Sequence, residues 1–334
     1  MRKLPIDSFL LMLMATVAIA AVIPVRGEMA EWFGILVHIA IAALFFLYGA
    51  KLSPKAVGEG LLHWRLQTLV LAATYVVFPL LGLATVFLMR DLLPDELLTG
   101  VLFLTLLPST VQSSVAFTSI ARGNVAAALT SASLSNLLGV IATPLLVALV
   151  IGGAGGGISL DSVLDLALQL VLPFVVGQLA RRWIGAWLAS HNPITSVVDR
   201  GSILLVVYAA FSEGMVDGVW SQVSWSDLAW LVVISVVLLA IILAITALAG
   251  KWLGFNREDR IAILFCGSKK SLATGIPMAG VLFAGSAVPL IVLPLMLFHQ
   301  IQLFACAILA QRYARDPVTP APAVLPTDAV ATKA

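Results

Sequence analysis

Long apolar runs alternate with short polar segments along nearly the whole chain. A helix needs about 20 mostly apolar residues to cross the hydrocarbon core of a bilayer, at about 1.5 Å per residue. The pattern predicts ten such spans, at 7–25, 30–50, 64–89, 96–120, 124–151, 160–183, 198–216, 227–253, 259–284 and 287–312. The connections between them are short. The expected fold is therefore all-α and integral to the membrane, with ten transmembrane helices.

The first apolar run follows Met1-Arg2-Lys3 and has one feature of a secretory signal, because Ala18-Ile19-Ala20 resembles a cleavage site. The run extends over 9–25, which is longer than the ~7–15 apolar residues usual for a signal peptide. We therefore favour a retained helix over a cleaved signal.

The composition is typical of a membrane protein and gives no reason to expect nucleic acid, a disulfide framework or a metal. Hydrophobic residues make up 61% of the 334 residues and charged residues 11%, against ~25% in soluble domains. The net charge of +2 gives no reason to expect a nucleic-acid partner. Cys266 and Cys306 lie in apolar runs, which argues against a disulfide framework, and the four histidines are scattered. No metal or cofactor is expected, and the lipid bilayer is the surrounding partner.

The basic residues predict the orientation of the chain. With the N-terminus in the cytoplasm, 15 of the 19 basic residues fall in cytoplasmic segments, only Arg26 and Arg90 fall outside, and Lys269 and Lys270 lie within a span. Positive charge concentrates on the cytoplasmic side of membrane proteins. We expect a multi-pass protein of the cell inner (plasma) membrane with both termini cytoplasmic.

A glycine-rich segment divides the spans into two sets of five. Because five is odd, the two halves must have opposite orientations, which is the topology of an inverted repeat. The predicted divisions are a first five-helix repeat at 1–151, a periplasmic connection at 152–159, a second repeat at 160–313 and a disordered cytoplasmic tail at 314–334.

Spans four and nine each contain a polar interruption in the middle of an apolar run. Span four has 107–114, which includes Pro108, and span nine has 266–271, followed by Gly275-Ile276-Pro277. Irregular backbone at membrane depth needs protein or a water-filled cavity to satisfy it. Matched interruptions in the two halves of a membrane protein indicate a transporter binding site.

The candidate substrate- or ion-binding residues lie at and near these interruptions. They are Ser109, Thr110, Gln112, Ser113, Ser114, Asn136, Ser268, Lys269, Lys270 and Ser271. Lysine at mid-membrane costs ~2.5–3.5 kcal/mol on insertion scales, which favours a functional role. Lys270 is the first choice for holding an anionic group. The alternative is a structural lysine pair bonded to backbone carbonyls of a broken helix.

Glu213, in Phe211-Ser212-Glu213-Gly214, has two interpretations. It can mark the outer end of span seven, or it can serve as a proton acceptor or gate.

These motifs resemble the bile acid:sodium symporter (SBF) family. The matching residues are Ala121-Arg122-Gly123-Asn124-Val125, Pro108 and Thr143-Pro144. A more specific match is the stretch 265–277, which resembles the SBF-like branch that includes solute carrier family 10 member 7. The resemblance implies two inverted five-helix repeats. It also implies a panel domain of spans 1, 2, 6 and 7 that moves against a core domain of spans 3–5 and 8–10, with broken spans four and nine crossing at the site.

The chain departs from this family at the positions that the resemblance assigns to sodium binding. The glutamate and glutamine of span nine correspond to Phe265 and Lys269, and the hydroxyls of span five correspond to Ala128 and Ala132. Sodium is a hard cation that needs oxygen ligands, and these side chains supply none. The usual sodium sites are therefore expected to be lost.

The sequence thus predicts a secondary transporter of a small organic anion that works by alternating access, with the coupling ion, proton or sodium, left open. One alternative is a membrane regulator of ion handling without transport. Another is a membrane-embedded lipid-linked transferase, but the sequence has no Gly-x-Ser-x-Gly or His-Glu-x-x-His motif. We therefore expect that the protein is not an enzyme.

Overall fold

The computed structural model describes residues 8–51, 63–152, 160–283 and 287–315, and these residues are helical with no β-strand. Two of the helices are broken, each into two halves. The helices are α1 (Ser8–Val22), α2 (Glu28–Lys51), α3 (Trp64–Met89), α4a (Asp95–Leu106), α4b (Gln112–Ile120), α5 (Val125–Val150), α6 (Leu160–Ser190), α7 (Asn192–Val216), α8 (Trp225–Trp252), α9a (Arg257–Gly267), α9b (Leu272–Leu282) and α10 (Val288–Arg315).

Each predicted span overlaps a helix or a pair of half-helices. In the part of the chain that the structure describes, six helices are long and apolar enough to cross a membrane: α2, α3, α5, α7 from Thr195, α8 and α10. The halves of α4 and α9 have 9 to 12 residues each, because the predicted interruptions break them. The structure therefore supports a membrane protein with several spanning helices.

The predicted boundary between spans six and seven was wrong. A connection was expected over 184–197, but α6 continues to Ser190 and α7 begins at Asn192, so only His191 separates them. Pro193 stands in the first turn of α7, where a proline loses no helical hydrogen bond and its fixed φ suits the start of a helix. The predicted connection at 152–159 and the tail from 314 lie largely outside the described residues.

Most of the helix packing falls into two groups, which meet where α6 packs against α5 and α7 packs against α9b. In one group, α2 packs against α6 and α7, and α1 packs against α7. In the other group, α4a packs against α3 and α10, and α9a packs against α3, α4b, α5 and α8. The second group therefore contains both broken helices and encloses the two breaks.

Two glycines bring α2 and α6 into backbone contact. A methyl group at Gly49 would overlap the carbonyl oxygen of Phe174, and one at Gly177 would overlap the carbonyl oxygen of Phe46. Small residues at such positions let helices approach closely in membranes, where packing is a main source of helix association. The two glycines therefore fix the spacing of this helix pair.

Replacing Gly49 or Gly177 by alanine should destabilise the protein. Each methyl would force the two backbones apart, and overpacking of this kind costs about 1–3 kcal/mol. Gly34→Ala is the matched control, because Gly34 lies in the same helix α2 and a methyl there meets nothing within 4 Å. Thermal melting in detergent should show a lower Tm for the first two variants and an unchanged or higher Tm for Gly34→Ala. Equal effects at all three positions would contradict the close approach.

Candidate functional site

The break in α4 begins where Pro108 interrupts the helical hydrogen bonds. Proline has no N–H group, and the N–H of Ser109 donates to the hydroxyl of Ser135 on α5 at 3.0 Å instead of to its own helix. The chain is extended at Leu107, with φ −76° and ψ 157°, and helix resumes at Gln112. The carbonyls around the break therefore need donors from outside the helix.

Side chains and backbone from other elements supply donors to five consecutive carbonyls. The pairs are Thr105 O with the Lys270 ammonium at 2.7 Å, Leu106 O with the Thr143 hydroxyl at 2.9 Å, Leu107 O with the Lys270 ammonium at 2.7 Å, Pro108 O with the Ser271 N–H at 2.9 Å and Ser109 O with the Asn136 amide at 2.7 Å. The Ser271–Pro108 bond joins the two breaks directly. The expected crossing of the broken helices is thus held by hydrogen bonds to consecutive carbonyls.

The break in α9 is satisfied in the same way, partly from α4. The hydroxyls of Ser109 and Ser114 donate to the carbonyls of Cys266 and Phe265, at 2.6 and 3.0 Å. Ser271 caps α9b by accepting from the N–H of Thr274 at 3.2 Å. Ser109, Ser114 and Ser271 therefore build the crossing, and their hydrogen-bonding capacity is largely used there.

A π-helical segment in α3 provides a further carbonyl. Over Ala73–Val77 the helix widens, and the N–H of Phe78 donates to Ala73 O, five residues back. In a regular α-helix this N–H would donate to Thr74 O. The next residue, Pro79, has no N–H group to offer. The carbonyl of Thr74 is therefore open to a donor from another helix.

Lys270 fills this role and ties three elements together. Its ammonium donates to Thr74 O at 2.8 Å on α3 and to Thr105 O and Leu107 O at 2.7 Å on the two sides of the α4 turn. It also lies 4.2 Å from the ring centroid of Phe78. The three N–H bonds of an ammonium are all used, and the side chain is fully buried. These contacts favour the structural alternative for Lys270 over its predicted role as the anion contact.

The backbone of Lys270 is held as firmly as its side chain. The Gln302 amide on α10 accepts from the Lys270 N–H at 3.0 Å and donates to the Lys270 carbonyl at 2.8 Å. Gln302 also lies 2.8 Å from the His299 ring nitrogen Nδ1. Gln302 thus joins α10 to the break in α9.

Lys269 has a different environment. Its side chain is fully buried, and among the described residues its ammonium has no hydrogen-bond partner. It lies 4.1 Å from the ring centroid of Phe117 on α4b and 5.3 Å from that of Phe265 on α9a. Aromatic faces attract a cation but offer no proton acceptor. Lys269 is therefore the lysine of the pair whose three N–H donors are unused.

The remaining predicted residues divide between the crossing and its surroundings. Thr110 and Ser113 bond each other through their hydroxyls at 2.6 Å, and Ser268 donates to Leu264 O within its own helix. Gln112 is exposed on α4b. Glu213 is exposed at the end of α7, where the neighbouring Gly214 faces Pro289 at the start of α10, so the fold does not bring it to the breaks.

The described residues contain no cluster of three or more His, Cys, Asp or Glu side chains that could hold a metal ion. Cys266 and Cys306 are both buried free thiols, as expected. The chemistry of the crossing is therefore that of hydroxyls, amides, carbonyls and two ammonium groups, which can bind and release a polar solute.

Three groups that contribute to the crossing were not predicted from the sequence as part of the site: the carbonyl of Thr74, the hydroxyl of Thr143 and the amide of Gln302. Pro79 in span three was the sequence feature that could have indicated the Thr74 carbonyl, because a proline within a helix leaves a carbonyl of the preceding turn without its N–H donor. Nothing in the sequence pairs Thr143 or Gln302 with a particular break.

Crossed, broken helices in a bundle with several spanning helices define the class of a membrane transporter. The comparison of sequences leads to the same class: the profile of the SBF-like CPA transporter family matches residues 7–315, and the chain belongs to this family. The family consists of transporters and not of enzymes, as the sequence predicted.

Three relatives show how far the similarity extends. The chain is 55% identical over 315 residues to "Uncharacterized protein PA2026" of Pseudomonas aeruginosa, with 94% of each chain covered. It is 50% identical over 311 residues to "Putative symporter YfeH" of Escherichia coli, covering 93% of this chain and 94% of the relative. It is 30% identical over 282 residues to "Sodium/bile acid cotransporter 7" of Rattus norvegicus, covering 81% of each.

Proposed function

We propose that this protein is a secondary transporter that moves a small organic anion by alternating access, and that the anion binds beside the crossing of α4 and α9. The observation that carries the proposal is the buried ammonium of Lys269, which has no acceptor among the residues that the structure describes and lies next to two joined helix breaks. A charge buried in a membrane protein generally serves a solute or ion pathway. Membership in a transporter family supports the same function.

We assign the anion contact to Lys269 and a positioning role to Lys270. The Lys270 ammonium already has three oxygen partners, so binding an anion would require it to release some of them. The Lys269 ammonium has no such partner to release within the described part of the chain. Partial positive charge at the N-terminus of α9b, which begins just after Ser271, adds to the attraction for an anion.

The proposal includes ten spans arranged as two inverted repeats, 1–151 and 160–313, joined outside the cell membrane by 152–159. The packing of α1, α2, α6 and α7 as one group supports a panel domain, and the packing of the other helices around the breaks supports a core domain. Relative movement of the two groups would expose the crossing to each side in turn.

Both termini are expected in the cytoplasm of a cell with an inner membrane. Contacts between helix ends support their predicted location on one common side of the membrane: Lys51 pairs with Asp199 at 3.0 Å, and Arg65 donates to Leu253 O at 3.0 Å. Reporters of cytoplasmic or periplasmic location fused after Arg315 and within 152–157 should report opposite sides, with the C-terminal fusion inside. A periplasmic location after Arg315 would contradict the ten-span topology.

Binding of the anion is expected to be independent of sodium. The positions that the family uses for sodium hold Phe265 and Lys269 here, and the aromatic ring of the first lies against the ammonium of the second. Anion binding should be equal in sodium chloride and choline chloride. A sodium dependence of tenfold or more, about 1.4 kcal/mol of coupling, would contradict this part of the proposal.

The test of the function itself is a thermal-shift screen of the purified protein. The panel consists of choline salts of pyruvate, succinate, benzoate and taurocholate, with chloride as the reference. A ligand at 100 times its Kd stabilises by about 2.7 kcal/mol, so a bound anion should raise Tm measurably. A regulator of ion handling without transport would show no saturable shift with any of these anions, and uptake by reconstituted protein would be absent.

A further inference from the structure

The carbonyl oxygens of Thr74, Thr105 and Leu107 form a cage that closes around one positive charge. They come from two helices and lie 2.7 to 2.8 Å from the Lys270 ammonium. These distances are in the range of charge-assisted N–H···O bonds. The ring of Phe78 covers the ammonium at 4.2 Å, so an aromatic face adds to the stabilisation of the cation.

Each of the three oxygens lacks a donor in its own helix for a local reason. In the π-helical turn of α3, the N–H of Phe78, which would donate to Thr74 O in a regular helix, donates to Ala73 O. The N–H of Ser109, which would donate to Thr105 O in a regular helix, donates to the hydroxyl of Ser135. The chain leaves the helix at Leu107. The fold therefore creates the cage through its backbone, independently of the residue that fills it.

We infer that this cage is a monovalent-cation site whose occupant is the protein's own Lys270 ammonium. Rings of backbone carbonyls that replace the hydration shell of a monovalent cation are a known way of binding such ions in membrane proteins. Here the cation is covalently attached to the α9 break, so it joins α3, α4 and α9 without an ion from solution. The inference concerns the cage alone and does not depend on the proposed transport activity.

The inference predicts that a small free cation can replace the ammonium once the side chain is shortened. Lys270→Ala removes the ammonium and three methylene groups and leaves the backbone oxygens in place. Ammonium and potassium ions match the size of the lost group, whereas sodium is smaller and should fit less well. The variant should therefore become dependent on dissolved cations that the natural protein does not need.

The experiment measures the Tm of purified Lys270→Ala in detergent at constant ionic strength, with choline chloride replaced stepwise by ammonium, potassium or sodium chloride. Ammonium and potassium should raise its Tm saturably, by about 3–5 °C when the ion is at ~10 times its Kd. The natural protein should show no such rise. If the variant is unstable in choline, it is purified in ammonium chloride and then exchanged into choline, and the expected result is loss of the folded form.

Two variants serve as controls for this rescue. Lys270→Met fills the space with an apolar chain of similar length, so it should be destabilised and not rescued. Lys269→Ala removes a neighbouring ammonium that contacts aromatic rings and, in the described ranges, no carbonyl, so it should show no cation dependence. Failure of all three cations to stabilise or recover Lys270→Ala would overturn the inference, and so would equal rescue of either control.

Discussion

Replacing Lys270 by methionine should destabilise the protein by about 3–5 kcal/mol, the net cost of leaving several buried acceptors without a donor. Methionine keeps the length and apolar bulk of lysine but cannot donate, so three buried carbonyls would lose their donor. Each unsatisfied group costs about 1–3 kcal/mol, partly offset because a buried charge is also removed.

The measurement is thermal melting of the purified variant, in which Tm should fall by roughly 6–20 °C. Lys269→Met is the matched control, since it removes the same charge at the adjacent position. If Lys270→Met melts like the natural protein but loses affinity for the stabilising anion, then Lys270 is the anion contact, as the sequence first indicated, and its positioning role is wrong.

Replacing Lys269 by methionine should have the opposite pair of effects. The affinity for the most stabilising anion of the thermal-shift panel should fall by about 10- to 150-fold, because a charge-assisted hydrogen bond is worth about 1.5–3 kcal/mol. Stability without the anion should be equal or higher, since the removed ammonium had no hydrogen-bond partner among the described residues.

Titration calorimetry of Lys269→Met against the natural protein, both in choline buffer, measures the first effect, and melting curves measure the second. Lys269→Arg tests the chemistry: it keeps the charge and should retain part of the affinity. Normal affinity in Lys269→Met would show that the anion does not contact this side chain.

Much of the helical plan could be predicted from the sequence, and the reason is physical. Apolar runs long enough to cross a bilayer indicate where helices lie. Pro108 and the run 266–271 predicted the positions of both breaks, because proline and polar residues interrupt a membrane helix. The end of α6 was missed because the predicted span stops just after Arg181 and Arg182, while the helix continues through the mostly apolar residues 184–189 to Ser190.

The division of roles between the two lysines could not be predicted. Lys269 and Lys270 are adjacent and chemically identical, and both lie in the same break. Their difference arises from partners distant in sequence: the carbonyl of Thr74 is 196 residues from Lys270, and Phe117 lies on a helix of the other half. Only the folded arrangement decides which ammonium faces oxygens and which faces aromatic rings.

Uptake into proteoliposomes tests the central claim most directly. The natural protein and Lys269→Met are reconstituted in choline buffer without sodium, and accumulation of the most stabilising anion of the panel, labelled with carbon-14, is followed over time. The natural protein should accumulate the anion saturably and Lys269→Met should not. Accumulation that requires sodium, that is equal in Lys269→Met, or that is absent with folded natural protein would contradict the account.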